Sequence, residues 1–382
     1  MPEGARSRRG LSAEPGSACS RSPSPSAEPD ERRGPGGAGA SHPVDRGFRP
    51  LAGRPRVARA KAGRAAMKVG FIGLGNVGAK LAGSLLRNGI DLSIHDLDPA
   101  PVADFVARGA RAGGDPAAMM RDCEVVITCL PSPAACDAVV SQMLPEIGPG
   151  KTWVEMSTTD ANEVMRLGDL VAERGGQAVE CPVSGGCHRA ATGNISIFAG
   201  GDRAAVEHVL PLLTRLGRRI LHTGPLGTAS KLKVMTNYLA TANLLTVCEA
   251  LVTMKAAGLD MATTYEAIKI SSGTSFVHET ESQLILNGAR DVNFTLDLVL
   301  KDIGLFQKLA EDHGVPLELS PEVIRIVQEG QARMGAQAQS DRIIERLEEA
   351  TGLSILAEGF PAELIDDELE EPGYEVRPAQ AG

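Results

Sequence analysis

The sequence predicts a doubly wound α/β domain with a mainly parallel sheet, followed by an all-α domain joined to it by a long helix. Three observations predict this. A short apolar run at residues 69–72 enters the turn Gly73-x-Gly75-x-x-Gly78 and leaves it in a helical pattern through Leu81, Leu85 and Leu86. Apolar strand patterns then alternate with helical stretches as far as Arg219, as in a parallel sheet covered on both faces. Beyond His222 the period becomes helical and no strand pattern reappears.

The glycine-rich turn is the most informative of the three. Gly73 lets the chain turn, Gly75 lets the backbone approach a phosphate, and Gly78 lets the helix pack on the strand. The following helix aims its first amides at the anion. A strand, turn and helix in this order mark a Rossmann-type site for a dinucleotide, held by Gly73, Leu74, Gly75, Asn76, Val77 and Gly78. The next strand, LSIHD, stops at Asp96, eighteen residues past Gly78. A carboxylate there suits the ribose hydroxyls of NAD and repels the 2′-phosphate of NADP, so NAD is the expected cofactor and NADP the less favoured one. Asp98 is a weaker candidate for the same task.

Four further strands follow: CEVVITCL, TWVEM, AVEC and ISIFAG. The first three run into loops at Leu130-Pro131-Ser132, Ser157-Thr158-Thr159 and Pro182–Gly186, and ligands in such folds bind beyond the carboxyl ends of the strands. From Lys231 a helix of about 28 residues runs to a stop at Gly258, with an apolar stripe at Leu232, Met235, Leu239, Ala242, Leu245 and Leu251. Further helices are expected at 263–271, 275–287, 296–313 (capped by Thr295), 321–334 and 340–350.

The two ends differ from the middle. Residues 1–66 hold thirteen basic groups against six acidic ones and almost no periodic apolar residues, so they read as a disordered leader. They lack the apolar core of a secretory signal and are not visibly amphipathic, and Met67 reads as the natural start. From Glu358 eight acids face Arg377 alone, with Pro361 and Pro372 breaking any helix. That stretch reads as a solvated tail, or as a segment lying across a neighbouring subunit. The expected organisation is leader 1–66, Rossmann domain 67–228, all-α substrate and dimerisation domain 229–350 and acidic tail 351–382.

A chain of 382 residues with a formal charge of −9 has room for two domains and is poorly suited to nucleic acid. No run of eighteen apolar residues suggests a membrane span. Seven cysteines without a Cys-x-x-Cys pair read as reduced thiols of a cytoplasmic protein. Cys181, Cys187 and His188 lack a fourth ligand at sensible spacing, so no metal is expected.

On the long helix Lys233 and Asn237 stand four apart and share a face. The first is suited to moving a proton and the second to orienting a substrate hydroxyl. Lys231 points elsewhere and reads as surface. With GFIGLGNVG at 70–78, CPVSGG at 181–186, GTASKLKVMTN at 227–237 and LKDIGL at 300–305, the chain resembles the β-hydroxyacid dehydrogenases, which include 3-hydroxyisobutyrate dehydrogenase. The resemblance covers residues 67 to about 330. It implies Lys233 as general acid/base, Asn237 as substrate ligand, and Ser184, Gly185 and Gly186 as the cradle of the substrate carboxylate. It also implies cofactor contacts at Leu130, Pro131, Thr158 and Lys301, a pairing of Asp302 with a nearby lysine, and a homodimer or homotetramer. Chemistry agrees: alcohol oxidation needs a base, and a lysine serves when burial and a nearby positive charge lower its pKa.

The sequence departs from the family pattern at Val77, at Glu180-Cys181 and at Ala229, none of which removes a catalytic group. His188-Arg189 after the Ser-Gly-Gly loop are also unusual. Arg189 either meets a second anionic group on a larger substrate or is simply exposed, and exposure is the favoured expectation. The predicted function is oxidation of a small 3-hydroxy acid to its semialdehyde, or the reverse. The rivals are an NADPH-dependent imine or glyoxylate reductase of the same fold, a 6-phosphogluconate dehydrogenase, and a non-catalytic nucleotide-binding module.

Overall fold

Strands β1 (Val69–Ile72), β2 (Leu92–His95), β3 (Arg111–Ala112), β4 (Val125–Thr128), β5 (Thr152–Glu155) and β6 (Gln177–Glu180) run parallel in the order β3-β2-β1-β4-β5-β6. The order reverses between β1 and β4, and the crevice at that switch point is where ligands bind in open α/β sheets. These strands belong to a computed structural model that describes residues 67–378. The leader 1–66, the reading of Met67 as the start, and the last four residues of the tail lie outside the described residues.

Helices α1 (Asn76–Arg87), α2 (Pro99–Ala107), α3 (Pro116–Asp122), α4 (Pro133–Met143) and α5 (Ala161–Glu173) cover the sheet. Alternation along the strands divides the core. Val69, Phe71, Ile127 and Val154 pack with Leu81 and Leu85 on one face. Ile72, Val126 and Trp153 pack with Met119, Met143 and Leu167 on the other. Burial on both faces is what makes these strands continuous apolar runs.

After β6 the strand direction reverses. A short strand β7 (Val183–Ser184) leads to α6 (Gly186–Thr192) and then to β8 (Ile195–Gly200), which pairs antiparallel with both β6 and β7. Helix α7 (Arg203–Leu216) returns the chain to β9 (Gly217–Gly224), parallel to β8. β9 gives no strand signal in the sequence, because GRRILHTG presents arginines where an apolar run would mark one.

The second half is helical, as expected: α8 (Thr228–Ala256), α9 (Met261–Lys269), α10 (Phe276–Asn287), α11 (Leu296–Asp312), α12 (Leu319–Met334) and α13 (Glu345–Thr351). The single helix expected over 340–350 divides into a 3-10 turn, Ser340–Ile344, and α13. Thr295 does precede α11, but its hydroxyl bonds Asp297 and not a free helix amide. In α8 Val234, Thr241, Leu244, Cys248 and Val252 are buried together with Leu245 and Leu251 of the predicted stripe, whereas Leu239 of that stripe is 51% exposed. Helix α8 is long and apolar enough to cross a membrane by length and hydropathy, which the sequence reading did not see. It is nevertheless packed against α5, β8 and β9 at one end and against α9 to α12 along the rest.

The acidic tail is not a free extension. Leu353, Ala357 and Phe360 pack on the helical core, with Phe360 edge-on to Tyr265 at 5.1 Å. The chain then crosses to the sheet, where Tyr374–Val376 forms β10, parallel to β9 and in register from Tyr374↔Arg219 to Val376↔Leu221. The expectation that no strand recurs after His222 is therefore corrected, as is that of a solvated tail. Its carboxylates meet arginines of β9 and of the helices beside it: Glu368 with Arg219 at 3.3 Å and Glu371 with Arg218 on β9, Glu370 with Arg87 at the end of α1 at 3.3 Å, and Glu375 with Arg203 at the start of α7.

Candidate active site

The glycine-rich turn has the shape its sequence implies. Gly73 has φ +98°, and a Cβ there would stand 2.2 Å from the Cys129 carbonyl oxygen. A Cβ at Gly78 would stand 2.1 Å from the Gly73 carbonyl, so helix and strand meet too closely for any side chain. At Gly75 nothing lies within 4 Å, which leaves the backbone open. Leu74 is buried, while Gly75 and Asn76 are exposed and Val77 half-buried. Helix α1 has no side-chain cap, so its first amides point to open space. This cradle fits a dinucleotide pyrophosphate.

Asp96 is bound to the same turn. Its carboxylate accepts the Leu74 amide at 2.5 Å and the Asp98 amide at 2.8 Å, while Leu97 beside it is fully exposed and no arginine follows. Asp98 itself caps α2 through the Ala100 amide, and is thereby engaged elsewhere.

Lys233 stands in the first turns of α8 and is 8% exposed. Its Nζ donates to Asn237 Oδ1 at 2.8 Å, and Asn237 Nδ2 donates to Asp302 Oδ2 at 2.5 Å. On the neighbouring turn of α11, Lys301 Nζ donates to the Thr158 carbonyl at 2.8 Å. The same Nζ lies 2.8 Å from Asp302 Oδ1, an ion pair without hydrogen-bond alignment. Five residues from three elements thus form one chain: Lys233, Asn237, Asp302, Lys301 and Thr158. Burial lowers the Lys233 pKa to about 8; the Asp302 charge opposes this and the Lys301 charge adds to it.

Two buried glutamates, which the sequence reading gave no role, hold this frame. Glu155 accepts from the Ser157 amide at 2.6 Å, and the Thr128 hydroxyl donates to it at 2.5 Å. Ser157 Oγ in turn accepts the Leu130 amide at 2.7 Å, so the loops carrying Leu130 and Thr158 are tied together. Pro131 follows on the exposed rim. Glu180 Oε1 accepts the Ala229 amide at 2.8 Å, and Oε2 accepts the Ser230 amide at 3.0 Å. Sequence singled out Glu180 as a departure; the longer acid reaches the start of α8 and fixes the helix that carries Lys233. Burial raises the pKa of both glutamates despite these bonds.

The Ser184-Gly185-Gly186 turn leaves the end of β6 and β7. Gly185 has φ +127° and Gly186 φ +82°, conformations that free successive amides for an anion and exclude side chains. No hydrogen bond joins this turn to Lys233; both are positioned from β6, one by chain continuity and the other through Glu180. Arg189 is half-buried and not simply exposed, which corrects the favoured expectation. A cavity of about 310 Å³, lined by Thr159, Ser230, Lys231 and Lys308, opens on a neighbouring face of α8 and does not include Lys233. Lys231 is half-buried in that wall. Among the described residues no group of three or more metal-ligating side chains occurs, and six cysteines are free.

Residues 68–224 match the model of the NAD-binding domain of 6-phosphogluconate dehydrogenase, and residues 227–347 match the domain described as NAD-binding of NADP-dependent 3-hydroxyisobutyrate dehydrogenase. The 2-(hydroxymethyl)glutarate dehydrogenase of Eubacterium barkeri is 31% identical over 293 residues, covering 76% of this chain and 97% of the relative. The chain belongs to the β-hydroxyacid dehydrogenase family. Like other members it is an oxidoreductase that uses a nicotinamide cofactor. The NAD-dependent L-serine dehydrogenase of Pseudomonas aeruginosa is 32% identical over 64% of this chain and 85% of its own. The fold matches the 3-hydroxyisobutyrate dehydrogenase of Mycobacterium tuberculosis with L-serine, at a TM-score of 0.68 and 23% identity, over 74% of this chain and 99% of that one.

Proposed function

We propose that this dehydrogenase interconverts a small 3-hydroxy acid and its semialdehyde, with NAD as cofactor and Lys233 as general acid/base. The observation that carries the reading is the state of Lys233: buried, bonded to Asn237, and with a pKa lowered to about 8. A lysine of that kind is neutral in a useful fraction of molecules near neutral pH and can take a hydroxyl proton. A bound nicotinamide supplies the acceptor or donor of the hydride.

The chain's own groups divide the remaining tasks. The Ser184 hydroxyl and the Gly185 and Gly186 amides hold the substrate carboxylate. Asn237, fixed by Asp302, orients the hydroxyl toward Lys233 Nζ. In oxidation Lys233 accepts that proton as the C–H bond breaks; in reduction it returns the proton to the carbonyl oxygen. Gly73 to Gly78, Leu130, Pro131, Thr158 and Lys301 hold the cofactor, and Asp96 favours NAD by its negative charge beside an arginine-free loop. The two relatives named above act, by their names, on compounds that carry a hydroxymethyl group beside a carboxylate-bearing carbon, in keeping with this reading.

The test is reduced-nicotinamide absorbance with a panel of 3-hydroxy acids and semialdehydes, run with NAD and NADP on the wild type and on Lys233→Ala. Turnover on at least one member is expected, faster with NAD, and falling at least about 100-fold in the variant while nucleotide binding persists. Normal turnover in Lys233→Ala removes the lysine from the mechanism. Silence across the panel in a protein that binds NAD overturns the substrate class.

A further inference from the structure

Arg189 lies one turn into α6, immediately after the Ser184-Gly185-Gly186 turn. Its stem lies along that turn, for a Cβ on Gly185 would stand 3.3 Å from Arg189 Cδ. Its guanidinium reaches across to the helical domain and sits over the ring of Phe276, 4.8 Å from the centroid, at the start of α10. The His188 ring lies nearly parallel to the same phenyl, with centroids 6.3 Å apart. Phe276 is 45% exposed, so this contact is not a sealed core. Among the described residues Arg189 makes no ion pair and its side chain makes no hydrogen bond. Asp366 in the tail feels the Arg189 charge, but its carboxylate accepts from Asn194 Nδ2 at 2.7 Å and from the Thr192 hydroxyl and forms no ion pair with Arg189. Burial, and after it the Arg189 charge, lower the His188 pKa while the Asp366 charge opposes this, so Arg189 is the permanent cation of the group.

A guanidinium stacked on an aromatic face, held by its stem and in direct contact with no carboxylate, presents its fork of N–H donors to a planar anion. Its position beside the carboxylate-binding turn, between the two domains, decides which anion that is. We propose that Arg189 binds a second carboxylate of the substrate, so that the preferred substrate is a 3-hydroxy acid with another acid group on its side branch. This rests on the hydroxy-acid reading above and adds to it the chemistry of the branch.

The measurement compares 2-(hydroxymethyl)glutarate with 2-(hydroxymethyl)pentanoate, which differ by one carboxylate in place of a methyl, on wild type, Arg189→Gln and Arg189→Lys. The wild type is expected to favour the diacid in kcat/KM by about 10- to 100-fold, mainly through KM, as for a charged hydrogen bond. Arg189→Gln, which can still stack on Phe276, abolishes that ratio, and Arg189→Lys keeps part of it. Equal use of both acids by the wild type, or an unchanged ratio in Arg189→Gln, overturns the role of Arg189 and leaves the hydroxy-acid reading intact. If neither acid turns over, that reading fails in this assay, and calorimetric binding of glutarate against pentanoate still decides the question. About tenfold tighter glutarate binding that vanishes in Arg189→Gln supports the second-anion site, and equal binding overturns it.

Discussion

At the scale of single residues the site depends on one buried amine whose charge is contested. Removing Lys233 from water disfavours the ammonium, Lys301 repels it, and Asp302 is the one group that supports it. With the pKa lowered to about 8, the base form gains as pH rises, so kcat/KM for oxidation should climb through pH 8 and then level. In the reverse direction the acid form is needed, and the rate should fall over the same range. Asp302→Asn removes the supporting anion, so the ammonium becomes less stable and both limbs move to lower pH. A pH–rate profile of the two proteins checks this. A limb that stays put in Asp302→Asn, or moves upward, rules out Lys233 as the titrating group. The pairing of Lys233 with Asn237 was legible from a spacing of four on a helix, but Asp302 was not derivable from spacing. It lies sixty-five residues from Asn237 in the chain, and only the packing of α11 on α8 brings it there.

At the scale of elements, α8 is the part on which both halves of the molecule depend, and Glu180 holds its first turn. The carboxylate takes two backbone amides and the Ser230 hydroxyl in a buried position, and Gly200 leaves room for it, since a Cβ there would stand 2.4 Å from Glu180 Oε1. Glu180→Ala strips these partners and opens a cavity, at a cost of about 2 kcal/mol. Lys233 is one turn further on, so kcat should fall with stability. Thermal melting and kinetics of Glu180→Ala and Glu180→Gln together check this; a variant that melts lower with kcat intact separates the helix start from the lysine. The elements themselves show which signals a sequence carries. β1, β2, β4 and β5 were legible because strands buried on both faces read as apolar runs. β9 and β10 were not, because each is specified by its partner: they pair through backbone, and the charges around them, Arg218 with Glu371 and Arg203 of α7 with Glu375, match in space but look like solvated charge in sequence. The stripe expected on α8 holds at Leu245 and Leu251 and breaks at Leu239 for a related reason. A helix that meets a sheet at one end and several helices along the rest has no single apolar face for a periodicity to report.

At the scale of the whole molecule, the tail is a strap. It leaves the helical domain at Phe360, fixed there by Tyr265, and closes on β9 through Glu368 and Glu371 and on the ends of α1 and α7 through Glu370 and Glu375. Each ion pair is at least partly exposed, and exposed pairs contribute little singly, about 0–1 kcal/mol. The strand is a different matter: β10 supplies the ladder partner of β9, and without it β9 becomes an open edge. Deleting residues 361–382 keeps the Phe360 contact and removes the rest. The truncated chain should melt several degrees lower at low ionic strength and associate at concentrations where the full chain does not. Salt separates the two contributions, since about 1 M salt shortens the screening length to about 3 Å and weakens the pairs while leaving backbone pairing in place. The gap in melting temperature should therefore narrow in salt without closing. A gap that vanishes in salt assigns the whole effect to charge and leaves β10 without energetic weight. Equal melting of the two chains at low salt would mean that the strap lies on the sheet without holding it.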